Sequence, residues 1–366
     1  MFIINRIVFF FNSIAILALL STYVAPYISP DLLWPVAFFA LAYPVVLLIN
    51  IVFIIYWLIF FNMKFLFSLA AIIIGWSHVT KFIQINAKKS PERLENSINV
   101  ITFNARYFGL FDFKGENRSD AEVDLFMDKF NKIDPDIFCI QEMANISVPR
   151  TNKLIDNVYS KLKKYNKVNV NITKDGVWLC DNIAMFSKHK IVKNGVVEHD
   201  VTSGNYTIYA DMIIFEDTIR VIATHLQSIK FEKADYEAIN KIETERKPEN
   251  IIAYKSVVDK MKYAFLMRAK QTDAIEEFIK KTPYKIIVCG DFNDTPLSYA
   301  YHSIKGDMKD AFVEAGSGLG RTYVGKMPSF RIDYILGSPT FQFYNYYTKI
   351  FEFSDHKLVS CSIKLK

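Results

Sequence analysis

Cysteine is scarce, with four in 366 residues. A chain so poor in cysteine is not a small disulfide-stapled scaffold. Internal repeats and low-complexity tracts are missing as well, so no solenoid or linker array is present. Charge is nearly absent from the first 80 residues, where only Arg6, Asp31 and Lys64 carry it. What the chain has in quantity is apolar surface: 51% of residues are hydrophobic, 15% are aromatic and 31 are Phe. Disordered chains cannot look like this, because they are poor in such residues. At roughly 150 residues per domain, the length allows one large domain or two.

The apolar excess is local. Beyond residue 80 the chain carries 42 basic and 37 acidic residues, a net charge of +5, and reads as an ordinary water-soluble protein. The first 82 residues read as a membrane anchor. A spanning helix needs about 20 mostly apolar residues. Runs near 7–25, 32–61 and 65–80 predict about three transmembrane α-helices, with two spans as the alternative. Pro26, Pro30 and Pro35 punctuate the first gap, and Asn62, Met63 and Lys64 the second. Trp34, Tyr56, Trp57 and Trp76 suit the membrane interfaces, where amphipathic rings are favoured. Arg6 and Lys64 share one side of a three-span arrangement, while the loop Pro26–Leu33 carries Asp31 and no basic residue. The positive-inside rule then puts the N-terminus in the cytoplasm and the following domain outside, periplasmic for a bacterial inner membrane. The four cysteines lie in or beside apolar stretches, well separated in sequence, and read as buried thiols.

A polar linker is expected over 83–97, and a folded domain over 98–366. Apolar β-rich runs predict strands at Ile98–Phe103, Ile137–Gln141, Asn182–Phe186, Tyr209–Phe215, Ile219–Thr224, Lys285–Cys289, Arg331–Leu336 and Leu358–Ile363. Helices are predicted over Asp120–Lys132, Arg150–Lys164 and within Ile251–Lys281. Many strands with few helices indicate an α+β layered sandwich. The charged stretch from Lys230 to Glu249 reads as a solvated helical face.

Polar residues recur where these strands end. Asn104 follows one, Gln141-Glu142 another, His225 a third, and Asp291 with Asn293 a fourth. Asp333 lies in the next, and Asp355-His356 precede the last. Any one of them is ordinarily a turn or cap residue. Together, on strands sharing one sheet edge, they would line a cleft with carboxylates, amides and imidazoles.

The ordered series Asn104, Gln141-Glu142, Thr224-His225-Leu226, Gly290-Asp291-Phe292-Asn293, Arg331-Ile332-Asp333-Tyr334 and Ser354-Asp355-His356 resembles the endonuclease/exonuclease/phosphatase superfamily. Its deoxyribonuclease I-like, exonuclease III-like and sphingomyelinase-like branches are the relevant ones. The resemblance implies a four-layer α/β/β/α sandwich. It also implies a metal-dependent hydrolase of phosphate esters, phosphodiesters foremost, acting by metal-assisted attack of water. Asn104, Glu142 and Asp355 would hold Mg²⁺, with Mn²⁺ as the alternative ion. Asp291 and Asn293 would orient water and a phosphate oxygen. His356 would contact the phosphate or move a proton, with Asp333 fixing its imidazole, and His225 matches a family His position. That His leans away from the apurinic endonucleases, which typically have Tyr there. Arg268 and Gln271 also resemble a family pair, and a structural role suits them equally. The expected partners are a phosphoester substrate, nucleic acid or lipid headgroup, and the bilayer around the N-terminal helices. A membrane-tethered nuclease, a lipid-headgroup phosphodiesterase and a catalytically idle binding protein are the alternatives.

Overall fold

The computed structural model describes residues 2–85, 88–90, 92–109, 120–143, 158, 160–168, 173–174, 177–178, 183–198, 205–232, 234–237, 239, 248–325 and 330–365. The chain forms two compact units. Residues 1–80, 227–272 and 295–303 make the first, and 81–226, 273–294 and 304–366 the second.

The first unit is built on helices α1 (Phe2–Val24), α2 (Val36–Ile59) and α3 (Phe65–Ile74). Among the described residues, the helices at Ile3–Tyr27 and Val36–Ile59 are long and apolar enough to cross a membrane, with mean hydropathies of 2.1 and 2.6. The expected third span is not such a helix. It stops at Ile74 after ten residues, about 15 Å of rise, and resumes as the short turn Trp76–Val79. The break falls at Gly75. A Cβ on Gly75 would lie 2.1 Å from Tyr23 Cζ, and the Tyr23 hydroxyl donates to the Ala71 carbonyl at 3.0 Å. Glycine there leaves room for the tyrosine ring.

Polar side chains tie the three helices together. Asn12 Nδ2 donates to Ser68 Oγ at 2.6 Å, and Ser68 Oγ donates to Asn50 Oδ1 at 3.0 Å. Trp57 Nε1 donates to Asn12 Oδ1 at 2.8 Å. These side chains are fully buried and join all three helices.

Helix α4 (Asp120–Ile133) lies in the second unit, and the long helix α5 (Pro248–Lys280) begins in the first. Val257, Met261 and Phe265, spaced along one face of α5, pack with Ala37, Phe38 and Leu41 of α2. Phe231 and Ile239, within the stretch read as a solvated face, pack against the same cluster.

The second unit contains β1 (Ser97–Asn104), β2 (Ile137–Gln141), β3 (Ile183–Ser187), β4 (Lys190–Val196) and β5 (Thr207–Ile214). It continues with β6 (Asp217–His225), β7 (Lys285–Asp291), β8 (Asp333–Gly337), β9 (Gln342–Ile350) and β10 (Lys357–Lys364). One sheet runs β9, β10, β1, β2, β3, with Asn166–Lys167 at its edge. The other runs from Lys309–Asp310 through β8, β7, β6 and β5 to β4. β1 is parallel to β2 and β6 is parallel to β7, while the other pairings are antiparallel.

Alternation builds the layers, because successive strand residues face opposite sides. Ile98, Val100, Ile137 and Cys139 meet Val221, Ala223, Ile287 and Cys289 between the sheets. Ile101, Phe103, Phe138 and Ile140 point the other way, onto Phe126, Met127 and Phe130 of α4. On the outer face of the second sheet, Tyr209 packs on Phe278 of α5, with ring centroids 4.8 Å apart. The result is the four-layer α/β/β/α sandwich.

Of the helix expected over Arg150–Lys164, residues 150–157 and 159 lie outside the described residues, while Val158 and Leu162 are buried. The segment expected as a linker is tied down where it is described. Ile83–Gln84 pairs with Gly318–Leu319, and Arg93 binds Asp136 at 2.6 Å.

Candidate active site

Topology gathers the polar strand ends. Parallel pairing brings Asn104 beside Gln141 at the ends of β1 and β2. It likewise brings His225 beside Asp291 at the ends of β6 and β7. β8 runs antiparallel to β7 and starts at Asp333, directly opposite Asp291. β10 runs antiparallel to β1, so its start delivers Asp355 and His356 to the same edge.

Local backbone aims the side chains. Glu142 has φ 49° and Asn293 φ 52°, in the left-handed region that non-glycine residues seldom occupy. Such conformations cluster at functional sites. Gly290 precedes Asp291 with φ 145°, and a Cβ there would sit 1.9 Å from the Thr224 carbonyl oxygen. Glycine lets β6 and β7 approach closely one residue before His225 and Asp291.

The groups interlock. Asn104 Nδ2 donates to Glu142 Oε1 at 3.1 Å and to Asp291 Oδ2 at 3.0 Å. Its Oδ1 accepts from the Arg106 amide at 3.0 Å. His225 Nε2 lies 3.6 Å from Glu142 Oε1 and 3.7 Å from Asp291 Oδ2. His356 Nδ1 is 3.1 Å from Asp333 Oδ2, and its Nε2 is 3.8 Å from Asp291 Oδ2. The Asn293 amide donates to Asp291 Oδ1 at 2.8 Å, and Asn293 Nδ2 to the Leu226 carbonyl at 2.9 Å. Asp291 and Asp333 are fully buried. Glu142 and Asp355 keep side-chain exposures of 21% and 25%, which puts them at the open side.

Burial pushes the Glu142 carboxyl up, against the opposing Asn104 hydrogen bond and His356 charge. Burial likewise raises Asp291 to about 6. Burial opposes charge on His356 too, but Asp333 and Asp291 outweigh it and raise the imidazole to about 10. The ring is therefore a cation near neutrality.

All eight expected residues, Asn104, Glu142, His225, Asp291, Asn293, Asp333, Asp355 and His356, lie at this one edge. Tyr323 forms a β-bridge with His356 and packs edge-on against it at 5.3 Å. Its neighbours 327–329 lie outside the described residues. In the first unit, Arg268 Nη1 donates to the Gln227 carbonyl at 2.8 Å and Gln271 Oε1 accepts its amide at 2.9 Å. Both side chains hold main chain.

Three further residues belong to the site. Thr322 Oγ1 accepts from the amides of Ile332 and Asp333. Ser354 Oγ donates to the Asn104 carbonyl and accepts the His356 amide. Arg106 Nε lies 3.8 Å from Asp355 Oδ1. Arg106, Tyr107 and Phe108 have φ of 45°, 52° and 54°, a left-handed turn that swings the arginine to the cleft. Its position two residues after Asn104 was the available signal.

A cation fits this donor set. Mg²⁺ takes oxygen ligands and usually one or two carboxylates, and Glu142 and Asp355 offer these at the open side. Among the described residues, ligand atoms of Asp291, Asp333 and His356 also lie within 4.8 Å of one another.

A sequence profile for the endonuclease/exonuclease/phosphatase family matches residues 101–356. A domain of unknown function matches residues 5–82. None of the curated proteins compared matches the chain. Humanized D. rerio TDP2 carrying 14 mutations superposes with a TM-score of 0.51 at 15% identity, over 74% of this chain and 100% of that one. D. rerio TDP2 complexed with a single-strand DNA product gives 0.51 at 14% identity, over 74% and 100%. The human Nocturnin catalytic domain with bound sulfate gives 0.50 at 15% identity, over 75% and 97%. Identities this low speak for the fold alone. With the profile spanning the site and most of both sheets, the chain belongs to the endonuclease/exonuclease/phosphatase family.

Proposed function

We propose that the protein is a membrane-anchored, divalent-metal-dependent hydrolase of phosphodiesters that activates water. The observation that carries this reading is the interlocked set at one sheet edge, where Asn104 and His225 each face both Glu142 and Asp291.

Glu142 and Asp355 would hold the cation. A bound divalent ion supplies charge neutralisation on the phosphate and a more acidic water. Asn104 turns its NH₂ to the carboxylates and its oxygen to the Arg106 amide, so it orients Glu142 in this geometry. Asp291, held by the Asn293 amide, accepts a proton from the attacking water. The His356 cation, steadied by Asp333, donates to a phosphate oxygen and offsets its growing charge. His225 keeps Glu142 and Asp291 apart and presents a second imidazole to the substrate.

Anchoring is supported by α1 and α2.

The test uses the full chain in detergent, assayed on bis-p-nitrophenyl phosphate, single-stranded DNA and phospholipids, with and without Mg²⁺. Metal-dependent turnover by the wild type and its loss in Glu142→Gln are expected. A folded wild type with no metal-dependent turnover on any of the three overturns the reading.

A further inference from the structure

Two thiols meet in the middle of the second unit. Cys139 on β2 and Cys289 on β7 are 150 positions apart in sequence, yet their sulfurs lie 3.1 Å apart. Both are fully buried, among the side chains that pack one sheet onto the other. Each strand is interior to its sheet, so the sulfurs are held by neighbours on both sides. Cys361, also buried, instead directs its thiol to the Tyr344 carbonyl at 3.3 Å.

We infer that Cys139 and Cys289 are the two halves of an inter-sheet disulfide. A disulfide has a sulfur–sulfur distance of about 2.05 Å, so closure asks for an approach of about 1 Å. The bond would lie directly behind the catalytic edge. β2 leads from Cys139 to Glu142, and β7 leads from Cys289 to Asp291. It would fix the strand carrying one carboxylate to the strand carrying the other.

The oxidant is a second disulfide, either a protein dithiol oxidant of an oxidising compartment or the disulfide of a small thiol. One cysteine thiolate attacks it, forming a mixed disulfide and releasing one thiol. The other cysteine displaces the second thiol and closes the bond. Two protein thiols give one disulfide, and the oxidant leaves as two thiols. Full burial shields both sulfurs in the folded state, so closure belongs to folding or to transient opening of the sandwich.

The experiment equilibrates the full chain in detergent with reduced or oxidised glutathione, in mild denaturant that opens the core, and then removes the denaturant. Thiols are alkylated under denaturing conditions and peptides are identified by mass spectrometry. Circular dichroism establishes folding without reference to activity. A Cys139–Cys289 linked peptide is expected from the oxidised sample. Its melting temperature should exceed that of the reduced sample by roughly 5–15 °C. The Cys139→Ala and Cys289→Ala variants should show no such difference. If a variant fails to fold, the wild-type comparison decides alone. Folded oxidised protein with both cysteines alkylated overturns the inference, as does either one linked to Cys180 or Cys361.

Discussion

At the residue scale, the site depends on positions that admit no substitute. Gly290 is the clearest, because the atom its Cβ would strike belongs to the β6 backbone. Gly290→Ala should therefore part β6 from β7 beside His225 and Asp291. A loss of about 2–4 kcal/mol is expected from overpacking and backbone strain, read by thermal melting, together with a fall in turnover. A variant as stable and active as the wild type would show that the close approach is unnecessary. Asp333 offers a second test. It is the nearest of the charges that raise His356, and an opposite charge at such range moves a pKa by about 1–3 units. Asp333→Asn should make the imidazole lose its proton at lower pH. The alkaline limb of the kcat profile should then move towards neutrality by about that amount. An unmoved limb would mean that His356 does not act as the cation.

At the element scale, what was legible and what was not have physical reasons. Central strands announced themselves because both faces are buried, as in Val-Ile-Thr-Phe of β1 and Ile-Ile-Val-Cys of β7. Strands β4 and β9 did not. They lie at or near sheet edges, and their mostly polar or half-exposed residues leave little apolar pattern to see. The eight site residues were legible through their order along the chain, whereas Arg106 depends on a left-handed turn that no periodicity encodes. The third apolar run was long enough in composition. It breaks at Gly75, where the ring of Tyr23, far away in sequence, leaves room for glycine alone. The helical part rests on a different kind of contact. Asn50 Nδ2 donates to the carbonyls of Ala15 and Val46, and its Oδ1 accepts from Ser68. Asn50→Leu keeps the bulk and removes these bonds. Contacts of this kind average about 0.6 kcal/mol each and reach about 1.7, so a loss of about 1–2 kcal/mol is expected. Denaturant titration of helicity in detergent measures it. An unchanged midpoint would assign the bundle's cohesion to apolar packing.

At the scale of the whole molecule, the site sets how stability answers to pH and to metal. Asp291 is raised to about 6 by burial, and Glu142 is raised for the same reason. An acid whose pKa rises on folding favours the folded state while it is protonated. That contribution is complete below the usual carboxylate range and disappears as pH climbs through about 6. Without metal, these two groups should make the protein less stable at pH 7.5 than at pH 5. Asp134, paired with Lys164 and Lys188, is lowered instead. Its contribution runs the other way, present at neutral pH and lost only in acid, below the window in question. A divalent cation at Glu142 and Asp355 binds the ionised carboxylate and so competes with the proton. At 100 times its dissociation constant, a ligand adds about 2.7 kcal/mol. In acid much of that goes to displacing the proton. Mg²⁺ should therefore raise the melting temperature clearly at pH 7.5 and only slightly at pH 5. Glu142→Gln carries no charge to neutralise, so Mg²⁺ should stabilise it far less at pH 7.5, and the apo variant should lose less stability than the wild type between the two pH values. Equal Mg²⁺ increments at both pH values in the wild type would mean that the cation binds elsewhere.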